Sequence, residues 1–259
     1  MKKYIFLSLK IVLSLLLFPS CEKVIDIDLN SAAPKLVVEG ELSDQPVACS
    51  IKLSKSINVD QSNTFPAVSG AVVKMQDDLG NMEILNETAP GVYTASTLNG
   101  IPGRSYILDI TDNGKNYKSV SVMPAPVKID TVYTRNLLFP EGFGITLFVG
   151  FKDPEAIENY YRMIAIVNGI PKTTFYVTSD QFQDGKKIVF QLEDDTVQKE
   201  LVKGDSVTIL LQCIDKAVYD YFYPMYFGSG DINPPSNISD EVLGYFSAYA
   251  VTSKTIVIQ

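Results

Sequence analysis

The sequence contains no histidine and no tryptophan. The first absence removes the commonest general base and the commonest metal ligand together. Hydrolysis by a Ser/His/Asp or Cys/His set is excluded in its usual form. No Ser-x-x-Lys with supporting motifs stands in for it. The second absence removes a favoured stacking platform for apolar or cationic ligands, leaving 14 tyrosines and 13 phenylalanines for that role. No glycine-rich phosphate loop joins a strand to a helix, so nucleotide binding has no support. Basic residues are in deficit, 22 against 30 acidic ones, giving a net charge of −8. Such a body repels phosphate backbones and anionic headgroups, and nucleic acid is excluded as a partner.

Cysteine is scarce, with three in 259 residues, and no pair has metal-type spacing. Cys49 and Cys213 lie in apolar, strand-like runs. They either pair in an oxidising compartment or stand as separate buried thiols. Cys21 differs. Lys2 and Lys3 form a positive n-region, Ile11 to Phe18 a short apolar run, and Pro19-Ser20-Cys21 follows at once. The run is too short, and interrupted by Lys10, to span a membrane. It has the proportions of a secretory signal. Residues 1–20 are therefore expected to be a signal peptide and 21–34 a tether, about 45 Å long when extended.

The rest reads as strand after strand. Residues 35–123 alternate apolar and polar positions between turns such as Asp78-Leu-Gly-Asn81, Asn99-Gly-Ile-Pro-Gly103 and Asp112-Asn-Gly-Lys115. Short strands with this punctuation predict an Ig-like β-sandwich. Met123-Pro-Ala-Pro126 is a stiff boundary. Residues 127–259 predict a second β-rich, sandwich-like domain, ending in strands over 243–251 and 255–258. One segment breaks the pattern. Asp215 is positioned to N-cap a helix whose Val218, Tyr219, Phe222 and Tyr226 share a face. The fold class expected is all-β with one short helix.

The paired carboxylates needed for glycoside hydrolysis have two candidates, Asp77-Asp78 and Glu193-Asp-Asp195. Both lie beside predicted turns, where solvated acids are ordinary. Asp112-Asn-Gly114 and Asp26-Ile-Asp-Leu-Asn30 lack the full calcium loop. No catalytic residue, metal or cofactor is expected. The aromatic segment stands out, with Tyr219, Phe222, Tyr223, Tyr226 and Phe227, together with Asn237 in the loop that follows. It plugs a sandwich end, docks a protein, or contacts a glycan or peptide.

Several pieces in order carry a resemblance. A cysteine directly after the apolar run resembles the lipobox of bacterial lipoproteins, with Ser20 fitting and Phe18 departing from the usual leucine. Leu36-Val-Val-Glu-Gly40, Gly70-Ala-Val-Val73, Gly91-Val-Tyr93, Pro102-Gly-Arg-Ser-Tyr106, Ser236-Asn-Ile238 and Leu243-Gly-Tyr-Phe246 follow it. Together they resemble the Bacteroidota cell-envelope lipoproteins of domain-of-unknown-function family 4249. The N-terminal half is similar to carboxypeptidase regulatory-like modules. The resemblance implies lipidation at Cys21, an outer-membrane location and no catalysis. It also implies a neighbouring TonB-dependent receptor. Asp130-Thr-Val, Asp195-Thr-Val and Asp205-Ser-Val resemble a Bacteroidota O-glycosylation motif, making Thr131, Thr196 and Ser206 candidate acceptors. The expected function is a lipid-anchored accessory protein of a TonB-dependent system. The alternative is a glycan- or peptide-binding lipoprotein supporting uptake.

Overall fold

A computed structural model describes residues 33–46, 49–58, 64–139, 142–192, 201–228 and 233–259. The expected signal peptide, Cys21, Thr196 and Glu193–Asp195 lie outside them. The first half supplies β1 (Leu36–Ser43), β2 (Ser50–Lys55), β3 (Val72–Asp77), β4 (Met82–Ile84), β5 (Asn86–Ala89) and β6 (Val92–Thr94). β7 (Ser105–Asp112) and β8 (Lys115–Val122) complete it. The second half supplies β9 (Ile129–Phe139), β10 (Gly142–Lys152), β11 (Tyr160–Val167), β12 (Ile170–Ser179), β13 (Lys187–Leu192) and β14 (Ser206–Ile214). A helix, α1 (Lys216–Tyr226), and β15 (Leu243–Val257) close the chain. The all-β reading with one short helix is correct for the described residues.

One eight-stranded sheet, in the order β12-β11-β14-β15-β1-β2-β6-β5, runs through both halves. A four-stranded sheet, β4-β3-β7-β8, and a three-stranded sheet, β13-β10-β9, pair with it through two cores. Alternation explains both. Val38, Ile51, Tyr93 and Phe246 from the long sheet meet Met75, Tyr106, Leu108 and Ile110 from the four-stranded one. Tyr161, Met163, Ile209 and Leu211 meet Leu147, Val149 and Phe151 from the three-stranded one. Each set recurs at every second residue, so one sheet face collects the apolar side chains.

The break read at Pro124–Pro126 falls between the two clusters. The C-terminal strand crosses it: Phe246, Ala248 and Ala250 belong to the first core, and Ile258, just beyond the strand, to the second. Residues 33–259 form one compact unit. The two strands expected over 243–251 and 255–258 are a single strand, Leu243–Val257, continuous through the polar triplet between them. Thr252, Ser253 and Lys254 pair with Leu211, Leu210 and Ile209 of β14. Thr252 also donates to the Val127 carbonyl at 2.6 Å. The β14 ladder on one side and the Val127 carbonyl outweigh weak local propensity.

β15 is parallel to β1, with Val38 opposite Gly244. Gly244 sits at φ +94°. A Cβ there would fall on the Val38 carbonyl oxygen and lie 2.8 Å from its carbon. Only glycine allows this approach.

Candidate functional site

The helix is set down by its first residue. Asp215 accepts from the Val218 N–H at 2.9 Å, a side-chain N-cap. Its other oxygen takes the Ser121 hydroxyl and the Val122 N–H of β8. The cap thus fixes α1 to the first sandwich as well as to its own chain. Pro224 costs one helical hydrogen bond, and the helix ends two residues later.

The face of α1 toward the sheet is packed. Val218 and Phe222 are buried against Val177, Ile214 and Tyr245. The Phe222 ring lies 5.0 Å from Phe175 and 4.8 Å from Tyr245. The Arg162 guanidinium stands 4.1 Å over Phe222. The same guanidinium donates to Glu41 at 3.2 Å, and Glu41 accepts from the Tyr245 hydroxyl at 2.9 Å. A cation held between a ring and a carboxylate pins the helix to the sheet.

The other face is open. Tyr160, Tyr219, Tyr223 and Phe227 form a chain of rings with centroids 5.0, 5.3 and 4.5 Å apart. The three tyrosines line a pocket of about 530 Å³. Its walls come from Glu158 before β11, Asp180 after β12, Asp220 on α1, and Pro235. Tyr223 is 43% exposed at the rim, and Phe227 is 59% exposed just outside it. The Tyr160 hydroxyl donates to Glu158 at 3.0 Å. Burial first, then that carboxylate, pushes its phenol up to about 12. Burial likewise raises Tyr219. Both rings keep their protons at neutral pH; the Tyr160 proton is already given to Glu158, so that ring meets a ligand through its π-face.

Asp180 has its carboxyl raised, first by burial and then by the charges of Asp153 and Asp184. Oxygens of these three acids lie within 4.8 Å of one another. Each holds a piece of local structure with at least one oxygen. Asp153 accepts from the Tyr161 hydroxyl and the Gly185 N–H, Asp180 from the Asn159 N–H, and Asp184 from the Ala156 N–H. The arrangement cements the turns at one end of the second sandwich.

The six contact residues read from the sequence divide. Tyr219 and Tyr223 line the pocket, and Phe227 extends its aromatic chain. Tyr226 turns toward Tyr176, with ring centroids 6.0 Å apart. Phe222 is buried and unavailable to a partner. Asn237 is spent on structure, because its side chain donates to the Phe246 carbonyl at 2.7 Å and accepts from the Phe246 N–H at 2.9 Å. Sequence reasoning missed Glu158, Tyr160, Arg162 and Asp180. The alternation of β11 held a signal: Tyr161 and Met163 point inward, so Tyr160 and Arg162 share the outer face with the helix.

Elsewhere, Asp77 is buried and bound by Asn81, Leu79 and Arg104, as a turn organiser. Cys49 and Cys213 are free and buried, the second of the two readings left open. Thr131 is exposed on β9, and Ser206 is half-buried at the start of β14. Among the described residues, no helix is long and apolar enough to cross a membrane.

Residues 22–255 match the family model described as Domain of unknown function (DUF4249). No curated protein matches the chain. Among solved structures, a cytokine receptor complex is 10% identical over 86% of this chain and 95% of its own, with a TM-score of 0.26. A two fibronectin type-III domain segment from chicken tenascin is 12% identical over 86% and 98%, with a TM-score of 0.25. A pullulanase from Anoxybacillus sp. LM18-11, complexed with maltotriose, is 16% identical over 67% and 24%, with a TM-score of 0.22. Likenesses this weak settle neither fold detail nor function.

Proposed function

Because the chain belongs to the DUF4249 family, we propose that it is a lipid-anchored cell-envelope protein that binds and does not catalyse. It captures a peptide or glycan in the tyrosine-lined pocket beside α1 and supports uptake through a TonB-dependent transporter. The observation that carries this reading is the concave, aromatic site itself. Three tyrosines from two elements converge on one cavity large enough for a small ligand, with protonated hydroxyls at its wall. A flat apolar patch would instead favour a purely structural accessory role. The absence of histidine, and carboxylates already engaged in turns, speak against catalysis.

The anchor is Cys21, at the outer membrane. Two or more acyl chains hold a protein on a bilayer stably, where one chain does so only marginally. Tethering also raises the effective concentration near a receptor, so weak contacts suffice. A second reading, direct docking on the receptor, draws support from Phe227 and Met225, which are 59% and 41% exposed beside the pocket.

Two measurements test the proposal. A palmitate analogue should label the wild type and spare Cys21→Ala. The full-length protein in detergent should show a saturable change in tyrosine emission with peptide or glycan probes, and Tyr223→Ala should weaken it. A wild type that stays unlabelled sinks the anchor. Emission that no probe changes saturably sinks the pocket.

A further inference from the structure

The charges around the pocket are unbalanced. Glu158, Asp180 and Asp220 line it, with Lys216 as the single cation among its described lining residues. That cation is already committed. Its Nζ lies 2.6 and 2.9 Å from the two carboxylate oxygens of Asp220. Among the described residues, no lysine or arginine pairs with Glu158 or Asp180. Behind Asp180 stand Asp153 and Asp184, whose charges add to the same field. The wall is therefore negative, and the chain as a whole carries −8.

The rings complete the picture. The π-face of a tyrosine carries negative potential, and it attracts an ammonium or guanidinium positioned over it. Tyr219 and Tyr223 flank the cavity from the helix, and Tyr160 from the strand. An acidic ligand would meet repulsion from every carboxylate. A neutral sugar would stack but leave the carboxylates uncompensated. A bare divalent ion needs several oxygens around it and gains little from aromatic walls. An organic cation satisfies both features of the site at once.

We propose that the pocket recognises the side chain of a lysine or arginine in a basic peptide, seated on Tyr219 and Tyr223 and facing Glu158. This rests on the reading of the pocket as a binding site and specifies its ligand class. The head group lies among the rings, with its charge toward Glu158 and Asp180. The long-range field of an acidic chain draws such peptides in and makes capture sensitive to salt.

The test uses the full-length protein in detergent and three non-fluorescent probes: tri-arginine, tri-glutamate and cellotriose. Only three of the chain's 14 tyrosines line the pocket, so binding is read by isothermal titration calorimetry, with tyrosine emission as a second signal. Tri-arginine should saturate the signal and weaken with added salt. Glu158→Gln keeps the shape of an exposed side chain while removing its charge, and Tyr223→Ala removes a rim ring. Each should weaken tri-arginine roughly three- to tenfold with unchanged circular dichroism. Tri-arginine binding that neither variant changes would overturn the proposal. So would saturation by cellotriose or tri-glutamate without tri-arginine, an outcome that leaves the binding-site reading standing. Silence from all three probes overturns both.

Discussion

Replacing Gly244 with alanine is the sharpest challenge to the architecture. At φ +94° an L-residue is strained, at a cost of about 1–2 kcal/mol. The new Cβ also meets backbone that cannot rotate away, the carbonyl of Val38 on β1. Prising two paired strands apart resembles overpacking a core, about 1–3 kcal/mol. The sum is roughly 2–5 kcal/mol. For a body of this size, each kcal/mol lowers the melting temperature by about 2–4 °C, so Gly244→Ala should melt about 4–20 °C early. Gly114→Ala is the control. It too has positive φ, +75°, but nothing lies within 4 Å of its Cβ. Strain alone should cost it about 1–2 kcal/mol. Thermal melts followed by circular dichroism compare the two. Coincident melts would refute the claim that close approach to Val38, and not backbone conformation, makes this glycine necessary.

Two further expectations concern titration and reactivity. Asp77 is held below 3.8, first by the Asn81 side chain and also by Arg104, and Glu87 below 4.5, first by the Gly91 N–H. Carboxyls depressed by folding contribute stability above their unfolded values and lose it as pH falls through their folded ones. Urea midpoints should therefore hold above about pH 4.5 and drop by pH 3, less steeply in Asp77→Asn; equal wild-type midpoints at pH 6 and pH 3 would contradict this. Burial pushes Cys49 and Cys213 up to about 12, so native Cys21→Ala protein should resist Ellman's reagent at pH 8 and react at both thiols in urea. Rapid native labelling would show that at least one of these thiols is not buried.

Much of the fold was legible because period-2 alternation is a local signal. β11 and β13 begin and end where their apolar pattern does. β5 (Asn86–Ala89) was not legible, because it is an exposed edge strand with no apolar face to read. The joined β15 was missed for a related reason. Its polar middle is held by β14 and by Val127, partners far away in sequence. The pieces that carried the family resemblance turn out to be fastenings. Gly244 admits Val38, Asn237 clasps Phe246, Tyr93 donates to the Val68 carbonyl, and Arg104 pairs with Asp77. The site was half legible. The helix and its aromatic run show in sequence, but Glu158, Asp180 and Tyr160, which make a pocket of them, come from β11 and the ends of the β11–β12 hairpin more than 30 residues earlier, and only tertiary structure brings them together.

The parallel pairing of β1 with β15 also decides how the body bears a pull. β1 follows directly on residues 33–35 and is bonded along both edges, to β15 and to β2. Traction applied along the β1 axis crosses two ladders, the β2 one with bonds perpendicular to it and the β15 one with slanted bonds. Those bonds are loaded in shear and must fail together, where a strand peeled from a sheet edge gives way one bond at a time. Under the tether proposed above, a pull from the N-terminal side would load the body through these two ladders.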